Sequence, residues 1–302
     1  MLRLRASEEG GRLLISDSMD GTFSKNYDRD IPTFANINLL GDCNFNCYFC
    51  LGKDLEEEFS KTKSDNIHFG EWENFDRFLL FCQRNNIQKL YLTGQNTDPL
   101  NYQYLEELVN FLQDDMGFNV GIRTNGFKAI GFLDVINSCR GKIGYTINSL
   151  DYNIHHKITG VYEIPYWQYI IPRTNNCRIS VVINRYNFIE LMGIIRFVAE
   201  FNNVKYLQLR RVSTDTRKKE LQLDAEIFEY IYQAFCASFG HHKLGDFAGA
   251  DIFKLFGKKI VFWRTVKTRV NSFNYYTDGI FTDEYFIIEG YQKAIRGRRI
   301  AA

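Results

Sequence analysis

The sequence is poor in proline, with 4 in 302 residues, and it has no low-complexity tract and no internal repeat. That excludes Pro-rich linker or repeat architectures. It has no excess of either charge: 37 Lys and Arg stand against 36 Asp and Glu. No overall field therefore draws it to nucleic acid or to an anionic membrane surface. No apolar run reaches the roughly 20 residues that a bilayer span needs. Met1 to Asp20 carries charges throughout and lacks the apolar stretch of a secretory signal, so the expectation is a cytoplasmic protein without membrane contact. Basic pairs such as Arg210-Arg211, Arg217-Lys218-Lys219 and Arg298-Arg299 are local, and the last two read as solvated surface charge.

Aromatics are abundant at 16%, and hydrophobic residues make up 45%. Such a chain can bury a large core and does not have the composition of a disordered one. The seven cysteines are an odd number at uneven spacing. In a reducing compartment they read as metal ligands or small hydrophobes before disulfides.

Residues 1–33 read as a β-rich lead-in, with a strand-like Arg12-Leu13-Leu14-Ile15-Ser16 and a turn signal at Asp20-Gly21. From residue 34 to about 220 short β-branched runs alternate with helical patterns. Strands are expected at 34–40, 89–93, 119–123, 143–148, 178–184 and 205–210. Helices are expected near 71–84, 102–114 and 189–201. Six βα units predict a parallel α/β sheet with right-handed crossovers. A partial (β/α)6 barrel fits this count, and a doubly wound open sheet is the competing architecture. Residues 221–302 read as a small α+β cap: a helix at 221–238, strands at 258–266 and 272–276, and a turn at Thr277-Asp278-Gly279.

The strongest chemical signal is Cys43-Asn44-Phe45-Asn46-Cys47-Tyr48-Phe49-Cys50, directly after the first strand. Three thiolates so close together can face one small inorganic centre. A closed zinc site or an ordinary iron–sulfur site wants four protein ligands. The next His or Cys along the chain are His68 and Cys82, so one coordination position is left open. A zinc knuckle with a distant fourth ligand is the alternative. Cys82, Cys139, Cys177 and Cys236 do not cluster and read as small hydrophobes. His241-His242 reads as a surface loop.

The CxxxCxxC loop after a first strand resembles that of the radical S-adenosylmethionine superfamily, and Phe49 matches the family's aromatic before the last cysteine. The likeness extends over residues 34–212. Gly94 and Asp98-Pro99, behind Thr93, loosely match the Gly-Gly-Glu-Pro run that binds the methionine amino group, with extra residues between. Thr124-Asn125-Gly126 resembles the family's Thr-Asn-Gly. Ser149-Leu150-Asp151, followed by His156 to Gly160, resembles its Ser-Leu-Asp segment. The resemblance implies a [4Fe–4S] cluster on Cys43, Cys47 and Cys50, with S-adenosyl-L-methionine chelated at the open iron. It further implies cofactor contacts from Phe49, Thr93, Gly94, Asp98, Asn125, Ser149 and Asp151. Asn184 and Arg210 end the fifth and sixth strands, where parallel sheets bind ligands, and join that candidate set. Alternation sends only one of Arg210 and Arg211 inward, and Arg210 is the favoured one. The implied activity is reductive cleavage of S-adenosylmethionine to a 5′-deoxyadenosyl radical that takes hydrogen from a substrate. A flavodoxin or ferredoxin would supply the electron. The substrate is a ribosomally made peptide or, alternatively, a small metabolite or nucleotide. A non-catalytic zinc or iron–sulfur scaffold is the third possibility. No second cysteine set of the SPASM type is evident.

Overall fold

The computed structural model describes residues 33–55, 63–213, 217, 219–264, 271–283, 291–292 and 294. The expected β-rich lead-in lies, but for Thr33, outside the described residues, as do Lys218 and Arg298-Arg299.

Eleven strands form one sheet in the order β11-β10-β1-β2-β3-β4-β5-β6-β9-β8-β7. The first six are β1 (Thr33–Leu40), β2 (Lys89–Gln95), β3 (Asn119–Thr124), β4 (Ile143–Thr146), β5 (Cys177–Ile183) and β6 (Val204–Arg211). All neighbouring pairs among them are parallel. The sequence pattern located each within a few residues. Residues after 221 form the α+β part, and their strands join the same sheet on both flanks. β9 (Lys258–Trp263) runs parallel to β6, and β10 (Asn271–Tyr276) runs parallel to β1. The margins are antiparallel: β8 (Ala250–Leu255) and β7 (Lys243–Phe247) on one side, β11 (Phe281–Thr282) on the other.

The sheet curls. Eight flat parallel strands would set β10 about 34 Å from β9 at ordinary interstrand spacing. Yet β9 and β10 are consecutive in sequence, and the steps from Trp263 to Asn271 reach at most about 28 Å. The loop after β1 also bonds to residues beyond β4 and beyond β6, and its Tyr48 ring meets Tyr186 beyond β5, all of which a flat sheet would hold far away.

Helices cover the outer face: α1 (Phe75–Arg84), α2 (Leu105–Asn110, continued by a π turn to Asp115), α3 (Leu133–Ser138), α5 (Trp167–Ile170), α6 (Leu191–Ala199) and α7 (Gln222–Phe239), while α4 (Tyr152–Thr159) lies against the loop that follows β1. Phe75, Phe78, Leu79 and Cys82 recur at helical spacing and form the buried stripe of α1. They pack with Ala35, Ile37 and Leu39 of β1 in the main core. Burying each large side chain contributes about 1.5–3 kcal/mol. Alternation sends Asn36 and Asn38 to the opposite, inner face, where both are buried. Asn36 Nδ2 donates to Asn274 Oδ1 of β10 at 2.8 Å, and Gln95 Nε2 donates to Asn38 Oδ1 at 3.1 Å. A polar interior of this kind differs from the aliphatic layers that fill a closed barrel, and it suits a ligand.

Candidate functional site

The cysteine loop leaves β1 at its C-terminal end and is tied down along its length. Asn46 N donates to Thr159 O at 2.7 Å and Tyr48 N to Ile158 O at 3.1 Å, so the loop rests on the last turn of α4. Phe45 is buried and meets the rings of Phe127 and His155 edge-on at 5.5 and 5.1 Å. Tyr48 Oη donates to Asp224 Oδ1 at 2.9 Å. The same carboxylate, fully buried at the start of α7, accepts from Arg185 N, Nε and Nη2 at 2.8 to 3.0 Å. Burial beside that carboxylate holds the Tyr48 phenol well above its ordinary range. Arg217 donates to the carbonyls of Phe49 at 2.9 Å and Cys50 at 2.8 Å and pairs with Asp54.

Arg217 corrects an expectation. The Arg217-Lys218-Lys219 run reads as surface charge, but the Arg217 side chain is only 3% exposed. Two loop carbonyls and a carboxylate satisfy its guanidinium, and that makes burial affordable. Tyr48, Arg185, Asp224 and Arg217 are the supports that sequence reasoning missed. Only the adjacency of Tyr48 to Cys47 pointed at any of them.

The three thiols are half-buried on one loop. Burial pushes the Cys43 thiol up to about 12; the N–H of Phe45 works against this, and the charges of Asp98 and Cys50 add to it. Cys47 is raised further by burial and by Cys50 and Cys43. To ligate a metal, Cys43 and Cys47 would have to lose their protons, and a cationic centre favours that loss. Among the described residues no three His, Cys, Asp or Glu side chains are gathered so as to hold a single metal ion. Cys43 Sγ accepts from Phe45 N at 3.4 Å and lies 3.8 Å from Asn125 Nδ2. Such N–H donors suit a ligating sulfur. Asn44 Nδ2 is buried beside it with no acceptor. These features fit an iron–sulfur cluster.

The other candidates sit around the loop in different ways. Asn125 touches it directly, donating to Asn44 Oδ1 at 2.9 Å. Asp98 is buried and caps the 3-10 turn Pro99–Asn101. Its carboxylate accepts from Thr124 Oγ1 and Asn125 N, each at 2.7 Å, and from Leu100 N at 3.0 Å. Burial raises its pKa despite these donors. It joins the strand ends of β2 and β3. Gly94 is demanded by backbone: a Cβ there would stand 1.9 Å from Thr97 O. Thr93 shares the inner face with Asn38, its register partner. Ser149 Oγ donates to Glu190 Oε2 at 2.5 Å and accepts from Asp151 N at 2.9 Å. Asp151 caps α4 through Asn153 N and Ile154 N, both at 2.9 Å. Asn184 is fully buried and bonds within its own turn, to Val182 O, Tyr186 N and Asn187 N. Arg210 shares the inner face with Val182 and Trp263, its register partners. Arg211 lies on the other face, 3.9 Å from Glu229 of α7. Phe49 meets Tyr48 edge-on at 5.3 Å.

A curled parallel sheet with a three-cysteine loop at the C-terminal end of β1 has the fold of the radical S-adenosylmethionine partial barrels. Among solved structures, Streptococcus suis SuiB bound to S-adenosylmethionine is similar, with a TM-score of 0.54 at 14% identity over 84% of this chain and 58% of that one. SuiB bound to the precursor peptide SuiA gives 0.51 at 15% identity, over 85% of this chain and 60% of that one. The chain thus spans about three-fifths of the SuiB length. Comparison with protein-family models and with curated proteins found no match.

Proposed function

We propose that this chain is a radical S-adenosylmethionine enzyme. The observation that carries the reading is the loop itself. Three thiols stand on one short loop at the C-terminal end of β1, with N–H donors turned to Cys43. The nearest sequence candidates for a fourth ligand are engaged elsewhere. His68 Nε2 bonds Glu107 Oε1 at 3.0 Å, and Cys82 belongs to the core. Cys43, Cys47 and Cys50 would hold a [4Fe–4S] cluster with one iron free for the amino and carboxylate groups of S-adenosylmethionine. Such a cluster would supply the electron for reductive cleavage of S-adenosylmethionine.

The chain's own residues anchor and shield this site. Asp224 and Arg217 fix the loop, Asn125 faces the Cys43 sulfur, and the inner-face Arg210 would pair with the methionine carboxylate. Phe49, Thr93, Gly94, Asp98, Ser149, Asp151 and Asn184 complete the proposed pocket, several of them by holding the strand ends in register. A flavodoxin or ferredoxin is the proposed donor, and the cytoplasm the proposed compartment. Among the described residues no helix is long and apolar enough to cross a membrane. For the substrate we favour a ribosomally made peptide. The similar SuiB binds a precursor peptide.

Anaerobic reconstitution tests this. The protein should take up roughly four iron and four sulfide per chain and release 5′-deoxyadenosine with a reductant. Cys47→Ala should abolish both. Zinc without sulfide, or deoxyadenosine from the variant, would refute the assignment.

A further inference from the structure

The inner wall of the sheet has a chemical bias. None of the eight parallel strands contains an Asp or a Glu. The chain as a whole is balanced, with 36 acidic and 37 basic residues. On the inner face stand Arg123, Arg178 and Arg210. Register places Arg123, Gly144 and Arg178 side by side across β3, β4 and β5.

Arg178 is the informative member. A Cβ at Gly144 would stand 3.1 Å from its Nη2 and 3.3 Å from its Nε, so glycine lets the guanidinium lie against the β4 backbone. Its Nη1 donates to Gln208 Oε1 at 2.7 Å. That neutral amide is its one hydrogen-bond partner among the described residues, and the rest of its donor fork is unused. Two residues on, Ser180 faces the same way and is register partner to Gln208. It is 4% exposed, and its hydroxyl has no partner. Arg123, in the same row, is held over the rings of Tyr91 and Phe34 at 4.3 and 5.2 Å.

We propose that Arg178 and Ser180, with Gln208 holding the guanidinium in place, form an oxyanion subsite inside the barrel that takes a carboxylate or phosphate group of the substrate. A planar fork with spare N–H groups beside an unpartnered hydroxyl matches two oxygens of one anion. No acidic side chain on the strands competes for it, and the low-dielectric interior strengthens the contact. The subsite is separate from the sulfur loop: Arg178 lies at the start of β5, whereas the cysteines follow the end of β1. The substrate would therefore be an acid, such as a peptide presenting an Asp, Glu or C-terminal carboxylate. Only the word substrate rests on the function proposed above.

The test is calorimetric titration of the reconstituted protein, without S-adenosylmethionine, using glutarate, inorganic phosphate and neutral glutaramide. Glutarate or phosphate should bind and glutaramide should not, and the tighter of the two anions names the source. Arg178→Gln should weaken binding at least about tenfold. Arg178→Lys, which keeps the charge and loses the fork, should fall between. Lys205→Gln, at an exposed position, should bind like the wild type. Should Arg178→Gln fail to fold, Arg178→Lys and Ser180→Ala carry the comparison. Equal binding by Arg178→Gln, equal loss in Lys205→Gln, binding of glutaramide as tight as glutarate, or no binding at all overturns the subsite. Deoxyadenosine release by the wild type is read separately, so the subsite and the proposed function can fail independently.

Discussion

His155 offers a sharp prediction because it is a buried base with nothing to bond. It is 1% exposed on the inner side of α4, against Phe45, and neither ring nitrogen has a partner. Burial lowers its pKa from 6.5 to about 4. Between those values the unfolded chain binds a proton that the folded chain refuses, so protonation favours unfolding. Stability from this residue is complete above pH 7 and is lost as pH falls through the window. The loss is about 2 kcal/mol by pH 5 and about 3 kcal/mol by pH 4. Replacement by an apolar side chain of similar volume, His155→Leu, removes that loss. It also removes an unsatisfied buried imidazole, a group that costs about 1–3 kcal/mol. Urea unfolding of both proteins at pH 7.5, 6 and 5 checks this, since groups common to the two cancel in the difference. The variant should match or exceed the wild type at pH 7.5, and its advantage should grow by about 2 kcal/mol at pH 5. A difference that stays flat with pH would show that the imidazole is solvated or bonded, and the reasoning would fail.

Asp224→Ala should cost about 3 kcal/mol in urea unfolding, because it strands Arg185 and Tyr48 together; a loss under about 1 kcal/mol would demote the clamp to a surface pair. Gly94→Ala should lower the thermal midpoint by the equivalent of about 2 kcal/mol, since its methyl would meet Thr97 O. An unchanged midpoint would mean that the turn can open freely. Cys82→Ala, Cys139→Ala and Cys177→Ala should each leave the iron content of reconstituted protein unchanged; iron lost from any of them would add that cysteine to the ligand set.

The fold was largely legible because hydrophobic periodicity tracks what packs against the outer face. β1 to β6 and the buried stripe of α1 follow directly from it. The margins were not. β7 is exposed at every residue, so Lys243–Phe247 carries no burial pattern to read. The joining of β9 to β6 and of β10 to β1 is a long-range pairing that local pattern does not encode. In the site, cysteine spacing located the loop, and alternation placed Arg210 and Arg211 on opposite faces. Its supports were invisible, because Arg185, Arg217 and Asp224 look like ordinary surface charges until the fold brings them under the loop. The motif carboxylates were legible as positions and not as partners: both Asp98 and Asp151 bond backbone N–H groups.

The short run between Trp263 and Asn271 has a consequence for what may enter. The ends it joins, Trp263 of β9 and Asn271 of β10, stand no further apart than about 28 Å. An opening of that span admits an extended chain, whereas a folded domain of 100 residues, with a radius of gyration near about 13 Å, is too stout for it. A peptide substrate of the kind proposed would pass such an opening extended, with any larger body it belongs to left outside.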